Sequence, residues 1–262
     1  AFAPGPAASP VAALALLRSG VDLDERVSCE DEVVVGGRTF TNGEDYRGSS
    51  QVTLSRALSD GCVTAVAAMA EQLDSAKFFE AAMSLGLEQT PDLGVPLTMG
   101  SFPAPSGPAA QAAALTGSTV EASALAMATM AASSQAGRVV TPYVVPGREP
   151  EAPTAVPLSE TEQQALQQLM RTRASSYRPL TAVSTGGADG RVWAVGYSAS
   201  VAVAVVIADS DETWVTPAQL VRTVANAARA QSTTQAQPTA QAQATPTAQA
   251  QATAQAQPTP SR

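Results

Sequence analysis

The side chains that most often carry acid–base or nucleophilic chemistry are scarce in this chain of 262 residues. It contains no histidine, and Lys77 is its single lysine, so fourteen of its 15 basic residues are arginines. A Ser-His-Asp triad is therefore excluded, and a serine nucleophile paired with lysine has only Lys77 to use. Lys77 stands directly before Phe78 in a segment with helical periodicity, where we expect its side chain to be solvated or to extend along the helix surface.

The two cysteines, Cys29 and Cys62, are too few to form a disulfide scaffold. Without histidine or a Cys-x-x-Cys pair they do not make a zinc site either, and we expect neither a metal nor a cofactor. Cys62 stands at a predicted helix start, where a thiol ionises more readily, but no base accompanies it. A structural role is therefore expected for Cys62, and a single bridge between the two cysteines remains open.

Acidic residues outnumber basic ones by 23 to 15, which gives a net charge of -8. Such a chain is a poor partner for nucleic acid, because binding proteins must neutralise backbone phosphates. A hydrophobic content of 45% with only 4% aromatics indicates a globular core rich in alanine and valine. The sequence has no apolar run of about 18 residues and no signal-peptide start, so we expect no membrane span and interpret it as a piece of a longer protein.

Hydrophobic periodicity predicts helices in the first half of the chain. A first helix over residues 6–17 opens with Pro6, whose missing amide costs nothing in a first turn. A hairpin over residues 33–40 turns at Gly36-Gly37, since glycine readily adopts the positive φ angles of a tight turn. Apolar residues three and four apart predict further helices over residues 53–58, 62–73 and 75–85.

The second half of the chain carries helix-start and strand signals. Two capping boxes, Ser118 with Glu121 and Ser159 with Glu162, predict helices that run to about residues 134 and 170. Strands with short connections, which imply an antiparallel sheet, are predicted over residues 180–184, 191–197 and 201–208.

A last helix over residues 217–230 is predicted to lie on this sheet through Leu220, Val221, Val224 and Ala227. We therefore predict an α+β domain over residues 1–230. Residues 231–262 are predicted to form a disordered tail, because their Gln, Ala, Pro and Thr repeats offer no apolar periodicity.

The order of these segments resembles the transpeptidase domain of penicillin-binding proteins, most closely the class B, actinobacterial type. Residues 1–11 resemble its aromatic-x-Pro-Gly-Ser-x-x-Lys-Pro-Val segment, and residues 37–42 its hairpin and turn. Residues 57–65 and 117–128 resemble its Ser-x-Asn segment and the helix start after it. Residues 181–197 resemble the Lys-Thr-Gly strand, its turn and the next strand, which ends near a Gly-Tyr pair. Each segment alone is common, but their order spans nearly all of residues 1–230.

This resemblance implies the penicillin-binding/β-lactamase-like transpeptidase fold, in which helices flank an antiparallel sheet beside a helical subdomain. We expect the first sheet strands of that fold to be missing from this chain. The resemblance also implies acyl transfer, with a serine nucleophile at a helix start and a lysine one turn later. A Ser-x-Asn loop assists proton movement, and a Lys-Thr-Gly strand binds the substrate carboxylate.

The chemical residues of these motifs are replaced here. Pro6 stands at the nucleophile position and Ser9 at the position of the first lysine. Gly61 and Val63 take the places of the serine and asparagine of the second motif. A register shift to residues 59–61 recovers Ser59 but no asparagine.

In the third motif, Ser184 replaces the lysine. Thr185 and Gly186 match, and Gly187 follows, so these three residues keep the substrate-binding positions of the family. Gly187 also retains the amide that would form the second oxyanion donor. Ser9, Ser59 and Ser184 are other candidate nucleophiles, but none has a base beside it in the sequence, so we expect no intact catalytic residue.

Three functions follow from the resemblance. We expect a pseudoenzyme, related to peptidoglycan cross-linking enzymes, with a binding or scaffolding role in cell-wall synthesis. The alternative is an active serine D,D-transpeptidase or carboxypeptidase that binds penicillin covalently. A third reading is a decayed gene product without selected activity.

The resemblance also implies a place outside the cytoplasmic membrane, with the membrane reached only through an anchor absent from this chain. Peptidoglycan stem peptides or cell-wall synthesis proteins are the expected partners. In such an oxidising location, Cys29 and Cys62 could form a disulfide.

Overall fold

The computed structural model describes residues 1–43, 46, 50–89, 91–94, 96–144, 154–171, 174–178, 180–208 and 216–235. In these residues the α-helices are α1 Ser9–Arg18, α2 Leu54–Asp60, α3 Val63–Ala68, α4 Ser75–Ser84, α5 Pro108–Leu115, α6 Ala124–Ala136, α7 Glu160–Arg171 and α8 Pro217–Gln235. The strands are β1 Arg26–Ser28, β2 Glu32–Val35, β3 Arg38–Thr41, β4 Gln51–Thr53, β5 Gly100–Ser101, β6 Glu121–Ala122, β7 Ala182–Gly186, β8 Arg191–Tyr197 and β9 Ala202–Ala208. Short 3₁₀ turns cover Gly5–Ala8, Met69–Gln72 and Ala174–Tyr177. The mixture of helices and antiparallel strands confirms the α+β prediction.

The principal sheet is antiparallel, with the strand order β7-β8-β9. Trp193 and Val195 of β8 belong to the main core with Met127 of α6, whereas Ala194 packs with Val221 of α8. The sheet is therefore covered by α6 on one face and by α8 on the other. Burial of both faces explains why the strands are apolar almost without interruption rather than alternating.

Helix α1 lies in the middle of the molecule. Its residues from Ser9 to Leu16 are all buried, and it packs against α2, α4, α5 and α7. Four of those residues are alanine or serine, and such small side chains let neighbouring helices approach closely. Because other helices surround α1, we expect it to be apolar on all sides.

Arg18, at the C-terminal end of α1, joins this helix to α4 and α7. Its Nε atom donates to Glu162 Oε1 at 2.8 Å, and its Nη1 atom donates to Ser84 Oγ at 2.8 Å and to Glu80 Oε1 at 3.3 Å. Only 7% of the Arg18 side chain is exposed. Burial raises the pKa of Glu162, but hydrogen bonds from Arg18 and Ser159 and the Arg18 charge outweigh it, so the pKa lies below its ordinary value.

A β-hairpin and a second two-stranded sheet flank the helices. Strands β2 and β3 pair through the turn at Gly36 and Gly37, whose φ angles are 56° and 80°, as the sequence predicted. Strand β1 pairs with β4. A disulfide between Cys29 and Cys62 ties the segment after β1 to the start of α3, with the two Cα atoms 6.1 Å apart.

One predicted capping box is confirmed and the other is wrong. The Ser159 amide donates to Glu162, and the Glu162 amide donates back to Ser159 Oγ at the start of α7. Ser118 instead donates to the carbonyl of Ala113 near the end of α5. Helix α6 begins later and is capped by Ser123, because the strand β6 occupies the intervening residues.

The last helix differs from its prediction in length and in its buried face. It continues to Gln235, and the rest of the predicted tail lies outside the described residues. Val221 and Ala225 are fully buried against the sheet, whereas Val224 is 44% exposed and Ala227 is exposed. The predicted contact of Val224 and Ala227 with the sheet is therefore wrong. The helix is turned about its own axis relative to the prediction, so that Ala225 and not Val224 faces the sheet. Among the described residues, no helix combines the length and apolarity needed to cross a bilayer.

Candidate functional site

Residues 2–5 contact the segment around β6 on one side and the principal sheet on the other. On one side, Phe2 exchanges backbone hydrogen bonds with Ala122, and the Gly5 amide donates to the carbonyl of Gly117 at 3.0 Å. On the other side, Trp193 Nε1 of the sheet donates to the carbonyl of Ala3 at 3.2 Å. The 3₁₀ turn that holds Pro6 is thus fixed against the sheet before α1 begins.

Two close backbone approaches bring the first and third motif positions together. Gly5 has a φ angle of 54°, and a Cβ atom there would lie 2.2 Å from the carbonyl oxygen of Gly187. A Cβ atom on Gly186 would lie 2.7 Å from Pro6 Cβ and 2.7 Å from the Ala7 amide nitrogen. Only glycine fits at these contacts, so the end of β7 rests directly on the turn that carries Pro6.

The two positions at which the motifs call for lysine are in contact. Ser9, in the first turn of α1, and Ser184, in β7, are separated by 175 residues, and their hydroxyl oxygens are 3.1 Å apart in a hydrogen bond. Both residues are buried. One hydroxyl donates to the other, so these two positions hold a neutral hydrogen-bonded pair in place of charged side chains.

The second motif position completes the site. Gly61 ends α2 with a φ angle of 77°, and a Cβ atom there would lie 3.4 Å from Pro6 Cβ. A cavity of only about 10 Å³ remains between these segments. A single water molecule needs roughly 10–15 Å³. The space is therefore too small for more than about one water molecule, and its lining consists of Pro6, Ser9, Leu58, Gly61, Cys62, Val63, Val66, Leu115 and Thr116.

No ionisable group contributes to this lining, since Cys62 is held in the disulfide. Lys77 lies on α4 and donates to Glu80 Oε2 at 2.8 Å, with 37% of its side chain exposed. Asp60, at the end of α2, pairs with Arg56. Among the residues of the cavity wall there is consequently no base that could activate Ser9 or Ser184.

Leu115 and Thr116 were not expected in the site, because no sequence pattern had predicted α5. Thr116 Oγ1 donates to the carbonyls of Ala112 and Ala113, and Thr116 lines the cavity. A signal was present in Gly107-Pro108 before an alanine-rich run, since proline is favoured in a first helical turn.

Tyr197, at the end of β8, is another buried polar group near the sheet. Its hydroxyl has no hydrogen-bond partner among the described residues. Burial raises the pKa of Tyr197 to about 12, although the Arg171 charge acts in the opposite direction. Tyr197 is therefore neutral at physiological pH and offers no base to the site.

The three segments that meet at this site all lie within the part of the chain that matches one protein family. The family described as "Penicillin binding protein transpeptidase domain" matches residues 1–225. The chain belongs to this family. Among curated proteins, no sequence matches the chain.

Solved structures of penicillin-binding proteins share the fold. Penicillin-binding protein A from M. tuberculosis aligns with a TM-score of 0.71 and 20% identity, over 87% of this chain and 61% of that one. The transpeptidase domain of penicillin-binding protein 3 from Burkholderia pseudomallei aligns with a TM-score of 0.69 and 18% identity, over 88% of this chain and 80% of that one. A D,D-transpeptidase domain of a peptidoglycan glycosyltransferase from Eggerthella lenta aligns with a TM-score of 0.69 and 19% identity, over 88% and 66%. These similarities confirm the predicted transpeptidase-like fold. The chain spans about 60% of the length of the M. tuberculosis protein.

Proposed function

We propose that this penicillin-binding protein transpeptidase domain does not acylate and serves as a binding or scaffolding module in cell-wall synthesis. One observation carries the proposal. The three motif segments converge with close backbone contacts, yet the residues at their chemical positions are Pro6, Ser9 and Ser184, beside a small neutral cavity. The scaffold of the family is kept while its nucleophile and both of its cations are replaced.

Pro6 removes two functions at one position. It has no hydroxyl to attack a carbonyl, and it has no backbone N–H to donate to a developing oxyanion. Loss of one oxyanion donor alone typically costs about 2.7–4 kcal/mol of transition-state stabilisation. A nucleophile at another position would therefore still lack this oxyanion donor.

The Ser9–Ser184 pair removes the acid–base and carboxylate-binding functions. A serine hydroxyl is not a base near neutral pH, and the 3.1 Å hydrogen bond engages both hydroxyls with each other. A substrate carboxylate would find no cation among the residues that line the cavity. Any anionic peptide should therefore bind weakly at this point.

The edge of β7 supports the binding role. This strand is at one side of the β7-β8-β9 sheet, so an extended peptide could add to it by main-chain hydrogen bonds. Thr185, Gly186 and Gly187 are the proposed contact residues, and a peptidoglycan stem peptide or a cell-wall synthesis protein is the proposed partner. We place the domain outside the cytoplasmic membrane, attached through another part of the protein.

The test is incubation of the folded chain with a fluorescent penicillin, followed by a denaturing gel and intact mass measurement. An active penicillin-binding protein under the same conditions is the positive control. We expect the control to gain the mass of one penicillin and this chain to gain none. A stoichiometric adduct on the chain would contradict the proposal, and mapping it to Ser9, Ser59 or Ser184 would identify the nucleophile of an active acyl-transfer enzyme.

A further inference from the structure

We draw no further inference here: the strongest candidate, the apolar groove of about 230 Å³ that Val27, Val33 and Met69 line between strands β1 and β2 and helix α3, carries nothing because nothing in the structure shows what covers it.

Discussion

At the scale of single residues, the site is defined by replacements that fit one another. Two positions that call for lysine hold serines, and the two hydroxyls meet at 3.1 Å inside the core. An isolated polar group at either position would be costly, whereas the pair satisfies itself. The family resemblance assigns both serines to motif positions, and that assignment stays a prediction. The sequence could not predict their contact, because nothing local connects residues 175 positions apart.

The mutual hydrogen bond of Ser9 and Ser184 leads to a double-mutant prediction. Ser9→Ala or Ser184→Ala alone should destabilise the chain by about 1–3 kcal/mol, because each leaves a buried hydroxyl without a partner. The double variant should cost less than the sum of the two single variants. Urea unfolding of the four proteins measures the coupling. Additive effects would show that the two hydroxyls do not depend on each other.

At the scale of helices and strands, local signals predicted most elements near the motif site. The Gly36-Gly37 hairpin, the capping box at Ser159 and the three late strands are set by turn chemistry and periodicity, and the structure confirms them. The three-residue strands β1 and β4 were not predicted, because such short segments carry too little pattern. The start of α6 was misplaced at Ser118, since a capping box needs a helix after it and the chain forms β6 there.

The packing of α1 against α7 leads to a prediction on pH dependence. The pKa of Glu162 is lower in the folded chain than its ordinary value of 4.5. Its stabilising contribution is therefore complete above that ordinary value and is lost as the pH falls through the folded value. Glu162→Gln should destabilise the chain by about 1–3 kcal/mol at neutral pH, because among the described residues it leaves the buried Arg18 with Glu80 as its one carboxylate partner.

Thermal unfolding from pH 7 to pH 3 measures this effect. The difference between the original chain and Glu162→Gln should shrink as the pH falls below 4.5. Glu160→Gln is the matched control, since Glu160 is exposed at the start of the same helix. A constant difference across the pH range, or an equal loss in the control, would contradict the prediction.

At the scale of the whole molecule, the sheet has two unlike edges. The edge of β7 lies beside the turn at Pro6, where the chain's own backbone approaches it. The outer edge of β9 pairs with no strand among the described residues, and β9 contains only alanine, valine and isoleucine. Exposed edge strands usually carry lysine, proline or a bulge that prevents pairing with other copies. The composition of β9 is typical of a central strand instead.

This edge predicts concentration-dependent self-association of the chain. The net charge of -8 opposes it, so association should increase as salt screens the repulsion between copies. Ile207→Lys places a charge at a half-buried position of this edge strand and should shift association to higher concentration, measured by light scattering with circular dichroism to verify folding. Val34→Lys, at a hairpin position that is 62% exposed, is the matched control for apolar exposure away from the edge. Equal suppression by both variants would assign the association to general surface hydrophobicity, whereas an effect of Ile207→Lys alone would assign it to strand pairing at β9.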